Sequence, residues 1–241
     1  MNQKEQGINA EKIFHGENES EAVRLMYRES VGLFSNVIKS KLVPGSYNLA
    51  DLGSHRGEFL NDLTSLLPEY NFKTIAVDVN EDDLVLNIAT EKVISDLTKI
   101  LISDKSVEVT IARYALAWNN LENQKKILDE IKRITSKIAV IQHQGANPEI
   151  PEGLQNSSKL LFGGVIPQLK RENFFFSNPR ELEKYMKDIG LNYEILQDRN
   201  VPGLSDIFIE KYKLSPEESK KVKDILDGND YVRQTTWILK F

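Results

Sequence analysis

The chain contains no cysteine, which excludes disulfides, thiolate metal sites and a cysteine nucleophile. Histidine is nearly as scarce. His15, His55 and His143 stand far apart and show no metal-ligand spacing, so no metal is expected. No run of eighteen or more apolar residues occurs, as a transmembrane helix would need. The opening residues, Met1-Asn2-Gln3-Lys4-Glu5-Gln6, lack the apolar core of a secretory signal. A cytoplasmic protein without membrane contact is the expectation. Positive charge is also in deficit: the formal net charge is −5, which works against a broad nucleic-acid footprint. Oligomeric state has no signature in the sequence.

A chain of 241 residues suits one large α/β domain. Residues 10–42 carry apolar positions at three- and four-residue spacing, which predicts helix, and Pro44-Gly45 ends it. Strand, glycine turn and helix follow over residues 47–67. The alternation repeats, with strands over 73–77, 92–95, 107–112 and 138–142 and helices over 81–89 and 121–134. The tail reads as a helix after Ser177 or Asn178, a strand over 192–197, a helix over 216–226 and a last strand over 231–241. This pattern predicts a Rossmann-like, doubly wound, seven-stranded and mostly parallel sheet with an antiparallel last strand. Residues 1–45 form an expected helical cap and residues 46–241 the α/β domain. Residues 145–177 break the rhythm with several prolines and glycines and Phe174-Phe175-Phe176, as lids and binding loops do.

The informative stretch is Asn48-Leu49-Ala50-Asp51-Leu52-Gly53-Ser54-His55-Arg56-Gly57, where the first strand turns into a helix. Gly53 and Gly57 allow a tight turn and close approach of a ligand, with Ser54 between them. A dinucleotide enzyme would carry Gly-x-Gly-x-x-Gly here, yet position 55 is histidine. Asp51 would repel a pyrophosphate and suits a ligand bearing an ammonium and a sulfonium. The second strand ends in Asp78, followed by Val79, where a carboxylate can accept from both hydroxyls of a ribose. The third ends in Asp96-Leu97, placed for an adenine amine and ring nitrogen, although a turn cap explains Asp96 nearly as well.

In their order and spacing, Asp51-Leu52-Gly53-x-x-x-Gly57, Ile75-Ala76-Val77-Asp78, Val93-Ile94-Ser95-Asp96-Leu97 and the stretch 109–118 resemble the successive motifs of class I S-adenosylmethionine-dependent methyltransferases. The resemblance spans about residues 47 to 143. It implies S-adenosyl-L-methionine as cofactor, with its methionine part on the turn of Gly53 and Gly57. It puts the ribose on Asp78 and the adenine by Asp96 and Leu97, with Arg113 and Tyr114 passing the methionine end. His55 stands where the family most often has a small residue.

His143 follows the fifth strand at the ligand edge and is the candidate general base, with substrate positioning as the alternative role. Tyr27, Tyr114 and Trp118 are candidate walls of a substrate pocket. The stretch Arg113-Tyr114-Ala115-Leu116-Ala117-Trp118 lacks the Asn/Asp-Pro-Pro-aromatic signature of amino-methylation of DNA bases. A small-molecule acceptor is therefore expected. Two other readings stay open: an NAD(P)-dependent Rossmann oxidoreductase, and a non-catalytic binding module on the same fold.

Overall fold

The computed structural model describes residues 21–146, 177–201, 205–206, 209, 213–226 and 232–241. Its seven strands are β1 (Ser46–Leu52), β2 (Asn71–Asp78), β3 (Glu91–Ile94), β4 (Val107–Arg113), β5 (Thr135–Ala146), β6 (Asn192–Asn200) and β7 (Val232–Lys240). They form one sheet in the order β3-β2-β1-β4-β5-β7-β6. The first five run parallel, and β7 lies antiparallel between β5 and β6. Chain direction across the sheet reverses between β1 and β4. A crevice opens at such a switch point, beyond the carboxyl ends of the strands.

Six α-helices lie among the described residues: α1 (Glu21–Lys41), α2 (Glu58–Ser65), α3 (Glu81–Leu86), α4 (Leu121–Ile134), α5 (Pro179–Asp188) and α6 (Pro216–Leu226). On one face of the sheet Phe34, Val37 and Ile38 of α1 join Leu60 and Leu63 of α2 over Leu49, Val109 and Val140. On the other, Ile127, Leu128 and Ile131 of α4 and Leu182 and Met186 of α5 pack over Val77, Ile141 and Trp237. The helix ends follow the expected chemistry. Asn120 accepts from the Asn123 amide at the start of α4. Asn178 accepts from the Arg180 amide at the start of α5, with Pro179 in its first turn.

Three of the boundaries that differ from the sequence expectation have a clear local reason. Helix α2 begins at Glu58 because Gly57 caps it in the left-handed conformation, φ 85°. Helix α3 stops at Leu86 because Asn87 turns extended and its side chain accepts from the Ala89 amide. Strand β5 runs on to Ala146 because its outer half, from Gln142, pairs with β7, a partner invisible to local periodicity. Residues 147–176, which hold most of the expected lid and Phe174–176, lie outside the described residues. Among the described residues no helix is long and apolar enough to cross a membrane.

Phe34 is fully buried and meets the Phe59 ring edge-on at 5.1 Å. Phe34→Ala should cost about 3–5 kcal/mol, read as a lower denaturant midpoint at unchanged slope. An unchanged midpoint would show that α1 is not docked on α2 as described.

Candidate active site

Side chains alternate along a strand, so Asp51, Asp78, Arg113 and Gln142 stand on the face of Leu49, Ala76, Ile111 and Val140. This is the face that α1 and α2 cover. The four lie near the carboxyl ends of β1, β2, β4 and β5, and Asp51 and Arg113 flank the switch point.

The glycine turn is braced from both sides. The Gly53 and Ser54 amides donate to the Val77 carbonyl at 2.8 and 3.1 Å. Asp78 accepts from the His55 amide at 2.9 Å and from the Asn80 amide at 3.0 Å, so one carboxylate ties the turn after β1 to the turn after β2. Each Asp78 oxygen keeps acceptor capacity toward the cleft. Gly53 adopts φ 71°, and a Cβ there would meet the Ala115 Cβ at 3.0 Å. A Cβ on Gly57 would reach the Asn87 amide oxygen at 2.6 Å. Both positions need glycine for conformation and for room.

Ser54 is buried and donates to Asp51 Oδ2 at 2.8 Å. It accepts from the Asn87 side chain, which also donates to the His55 carbonyl. Asn87 is thus a site residue that sequence reading missed, since nothing near Gly57 in the sequence points to it. His55 finds its place here as well. It takes the left-handed conformation at φ 49°, and its Nε2 lies 3.3 Å from Asp83 Oδ2. Buried Asp83 also holds Arg56, Nε to Oδ1, at 3.3 Å. The histidine turns toward α3 and anchors the loop there.

Asp51 is 3 % exposed. Burial pushes its carboxyl up to about 7, and neighbouring Asp78 adds to the shift. The Ser54 hydroxyl and Arg113 oppose it. Near neutral pH the group is poised to release its proton to solvent when a cation arrives beside it.

The other expected residues fall into two sets. Val79 is exposed beside Asp78, and Leu97 is buried in the core, which leaves its backbone toward the cleft. Asp96 Oδ1 accepts from the Thr98 amide and hydroxyl, a turn cap that leaves the second oxygen available. On the β4 side, the Arg113 guanidinium lies 5.1 Å from the Tyr27 ring, 5.4 Å from Phe59 and 4.6 Å from Tyr114. Tyr114 is left-handed at φ 60°, and its hydroxyl donates to Gln234. The Tyr27 hydroxyl donates to Asp62, and burial first, then that acid, raises its pKa. The structure therefore joins Tyr27, Arg113 and Tyr114, with Phe59 added. Trp118 ends the next turn, Ala115–Trp118, partly exposed.

His143 lies on the opposite face of β5. It is fully buried and stacked on Trp237 at 5.9 Å. Burial pulls its pKa down to about 4. The Ser177 backbone opposes that shift without reaching hydrogen-bond geometry with either ring nitrogen. The ring is neutral and out of solvent. Among the described residues no group of three or more histidine or acidic side chains is arranged to hold a metal.

No protein-family model and no curated protein matches the sequence. Solved structures do match the fold. YcgJ from Bacillus subtilis is 15 % identical with TM-score 0.64, over 88 % of this chain and 98 % of its own. Phosphoethanolamine N-methyltransferase 2 of Haemonchus contortus, solved with phosphomonomethylethanolamine and S-adenosylhomocysteine, is 14 % identical with TM-score 0.63. That match covers 98 % of this chain but 57 % of the Haemonchus chain. Geranyl diphosphate C-methyltransferase of Streptomyces coelicolor, solved with Mg2+, geranyl diphosphate and S-adenosylhomocysteine, is 12 % identical with TM-score 0.61, over 95 % and 88 % of the two chains. The chain thus has the Rossmann-like fold, with antiparallel β7, that these methyltransferases have. At such identity the likeness establishes architecture.

Gly57→Ala, which forces a Cβ against Asn87, should open the turn and lower stability by about 1–3 kcal/mol. Asn87→Ala in the same chain should restore part of the loss; two additive losses would show that the close approach does not set the turn.

Asp51 and His143 make opposite contributions to pH dependence. His143 is held neutral, so its stability is complete above about 6.5 and is lost as pH falls toward 4. Asp51 is held protonated, so its stability is complete below about 3.8 and is lost as pH rises toward 7. Each window is worth about 3–4 kcal/mol. Denaturant titrations of His143→Phe should lose stability from pH 4 to 7, and those of Asp51→Asn should gain it. Parallel pH profiles for the two variants would contradict both assignments.

Proposed function

We propose that the protein is an S-adenosylmethionine-dependent methyltransferase acting on a small-molecule acceptor by direct in-line transfer. The observation that carries this reading is the row of Asp51, Asp78 and Asp96 at the ends of three adjacent strands, beside a glycine turn that tolerates no Cβ. The sequence resemblance and the S-adenosylhomocysteine in the Haemonchus and Streptomyces enzymes support it.

The residues suit such a ligand from one end to the other. Asp96 and the Leu97 backbone face adenine, Asp78 with Val79 beside it takes the ribose, and Gly53, Ser54 and Gly57 shape the turn under the amino-acid tail. Asp51 answers the positive charge of that tail, and Arg113 borders it from the β4 side. Bound there, the cofactor supplies a methyl group already activated by its sulfonium. The protein's work is then to position and to exclude water, and no proton acceptor is required for the transfer step. His143 serves as a base in this reading only if the acceptor itself reaches its buried ring. Its neutral state at physiological pH permits that role. Residues 1–45 act as a cap and 145–177 as a lid, in a cytoplasmic enzyme.

The NAD(P) alternative puts a pyrophosphate against Asp51, which the buried acid disfavours. Calorimetry with S-adenosylhomocysteine and with NADH should show binding of the first alone; the reverse preference ends the proposal. Asp78→Ala should weaken S-adenosylhomocysteine by about 1–3 kcal/mol. A cation beside Asp51 keeps it ionised, so binding should release a proton below about pH 7. Affinity should then fall up to about tenfold per pH unit on acidification, and Asp51→Asn should flatten that profile.

A further inference from the structure

Along the carboxyl edge of the sheet, the charged side chains read Asp96 just past β3, Asp78 at the end of β2, Asp51 on β1 and Arg113 at the end of β4. Three acids on one side of the switch point face Arg113 on the other, and a further cation on this edge, Arg199 of β6, is already paired with Glu29. Among the described residues Arg113 has neither a hydrogen bond nor an ion pair with a carboxylate, and its Nε is buried without a partner. It is held instead by three aromatic rings. Tyr27 of α1 and Phe59 of α2 stand edge to face, 5.9 Å apart, and Tyr114 bends back through its left-handed backbone.

Rings hold a guanidinium in place and satisfy none of its five donors. A partly buried guanidinium without an acceptor is costly, and a planar fork of this kind fits a carboxylate or phosphate. Among the described residues the nearest such anion is Asp51, which feels the charge of Arg113 but forms no ion pair with it. Ser30, Gln142 and Thr236 form a buried, uncharged polar layer further along β5 and β7. Asp51 is already engaged with Ser54.

We propose that the methyl acceptor is an anion, a carboxylate or a phosphate, whose charged group is bound by Arg113 in the Tyr27–Phe59–Tyr114 cage. This rests on the methyltransferase reading. A ligand whose adenine, ribose and amino-acid tail follow Asp96, Asp78 and Asp51 ends at β1, so Arg113 is the first charged group beyond it. The electrostatics agree. A bare guanidinium beside a sulfonium is repulsive, and an anionic acceptor between them turns both contacts attractive. The positive charge of the transferring group then also favours loading of the acceptor after the cofactor.

The test titrates protein saturated with S-adenosylhomocysteine by calorimetry, using phenyl phosphate, benzoate and uncharged benzyl alcohol as probes. Both anions should bind saturably and benzyl alcohol should not. Arg113→Gln should weaken the anions at least tenfold and Arg113→Lys less, because charge survives but the fork does not. Anions that bind no better than the alcohol, or equally well to Arg113→Gln, overturn the proposal. So does a tenfold loss of S-adenosylhomocysteine affinity in Arg113→Gln with methylthioadenosine affinity retained, since that assigns the guanidinium to the cofactor carboxylate. If the Gln variant does not fold, the Lys variant and the wild-type comparison of anion against alcohol decide. Failure of the underlying reading looks different: wild-type protein would not bind S-adenosylhomocysteine at all.

Discussion

The carboxylate of Asp78 is the constraint on which the ligand edge of this protein depends. One oxygen accepts from the His55 amide and the other from the Asn80 amide, so two turns from different βα units share one anchor. Asn80 in turn caps α3 through the Asp82 amide, and α3 carries Asp83, the partner of His55 and Arg56. Asn87, just past α3, closes the circuit onto Ser54 and the His55 carbonyl. The glycine turn is therefore held by α3 as much as by the strand that enters it. A carboxylate used in this way keeps lone pairs free, which lets one residue serve both architecture and ligand.

The same economy appears in charge. The crevice at the β1–β4 switch point separates acids from a cation, and Asp51 and Arg113 feel each other's charge without forming an ion pair. Asp51 accepts a hydrogen bond from the Ser54 hydroxyl in place of an ion pair with Arg113. Arg113 takes aromatic faces in place of a carboxylate. Had the two paired directly, the crevice would be neutral and closed. Left apart, they offer opposite ends to ligands of opposite sign.

Much of this was legible in the sequence, and the gaps have physical reasons. Helices α4 and α6 end where their apolar spacing and flanking residues put them. The doubly wound sheet was implied by βαβ alternation, and Asp51, Asp78, Gly53 and Gly57 were marked by their place at strand ends. Long-range pairing was not legible. The outer half of β5 exists because β7 lies against it, and that half buries His143 against Trp237. Position in sequence placed His143 at the ligand edge, but the strand's alternation sends its ring to the face opposite Gln142. His55 was opaque for a related reason. Its partner Asp83 sits on another element, and only the left-handed turn aims one at the other.

The buried acid and the unpaired guanidinium carry a shared consequence. Neither is arranged for the greatest stability of the empty protein: burial penalises ionised Asp51, and Arg113 Nε is desolvated without an acceptor. Replacing either by an apolar residue of similar size gives up the Ser54 hydrogen bond or the ring contacts but also relieves a desolvation cost, as happens when buried charges are exchanged for well-packed side chains. Their presence argues that the missing partners come from outside the chain. A ligand that brings a cation to Asp51 or an anion to Arg113 regains what folding forfeits there. It binds the folded state alone and so raises stability in proportion to its occupancy. The two groups thus make this stretch of the carboxyl edge one that gains stability from being filled.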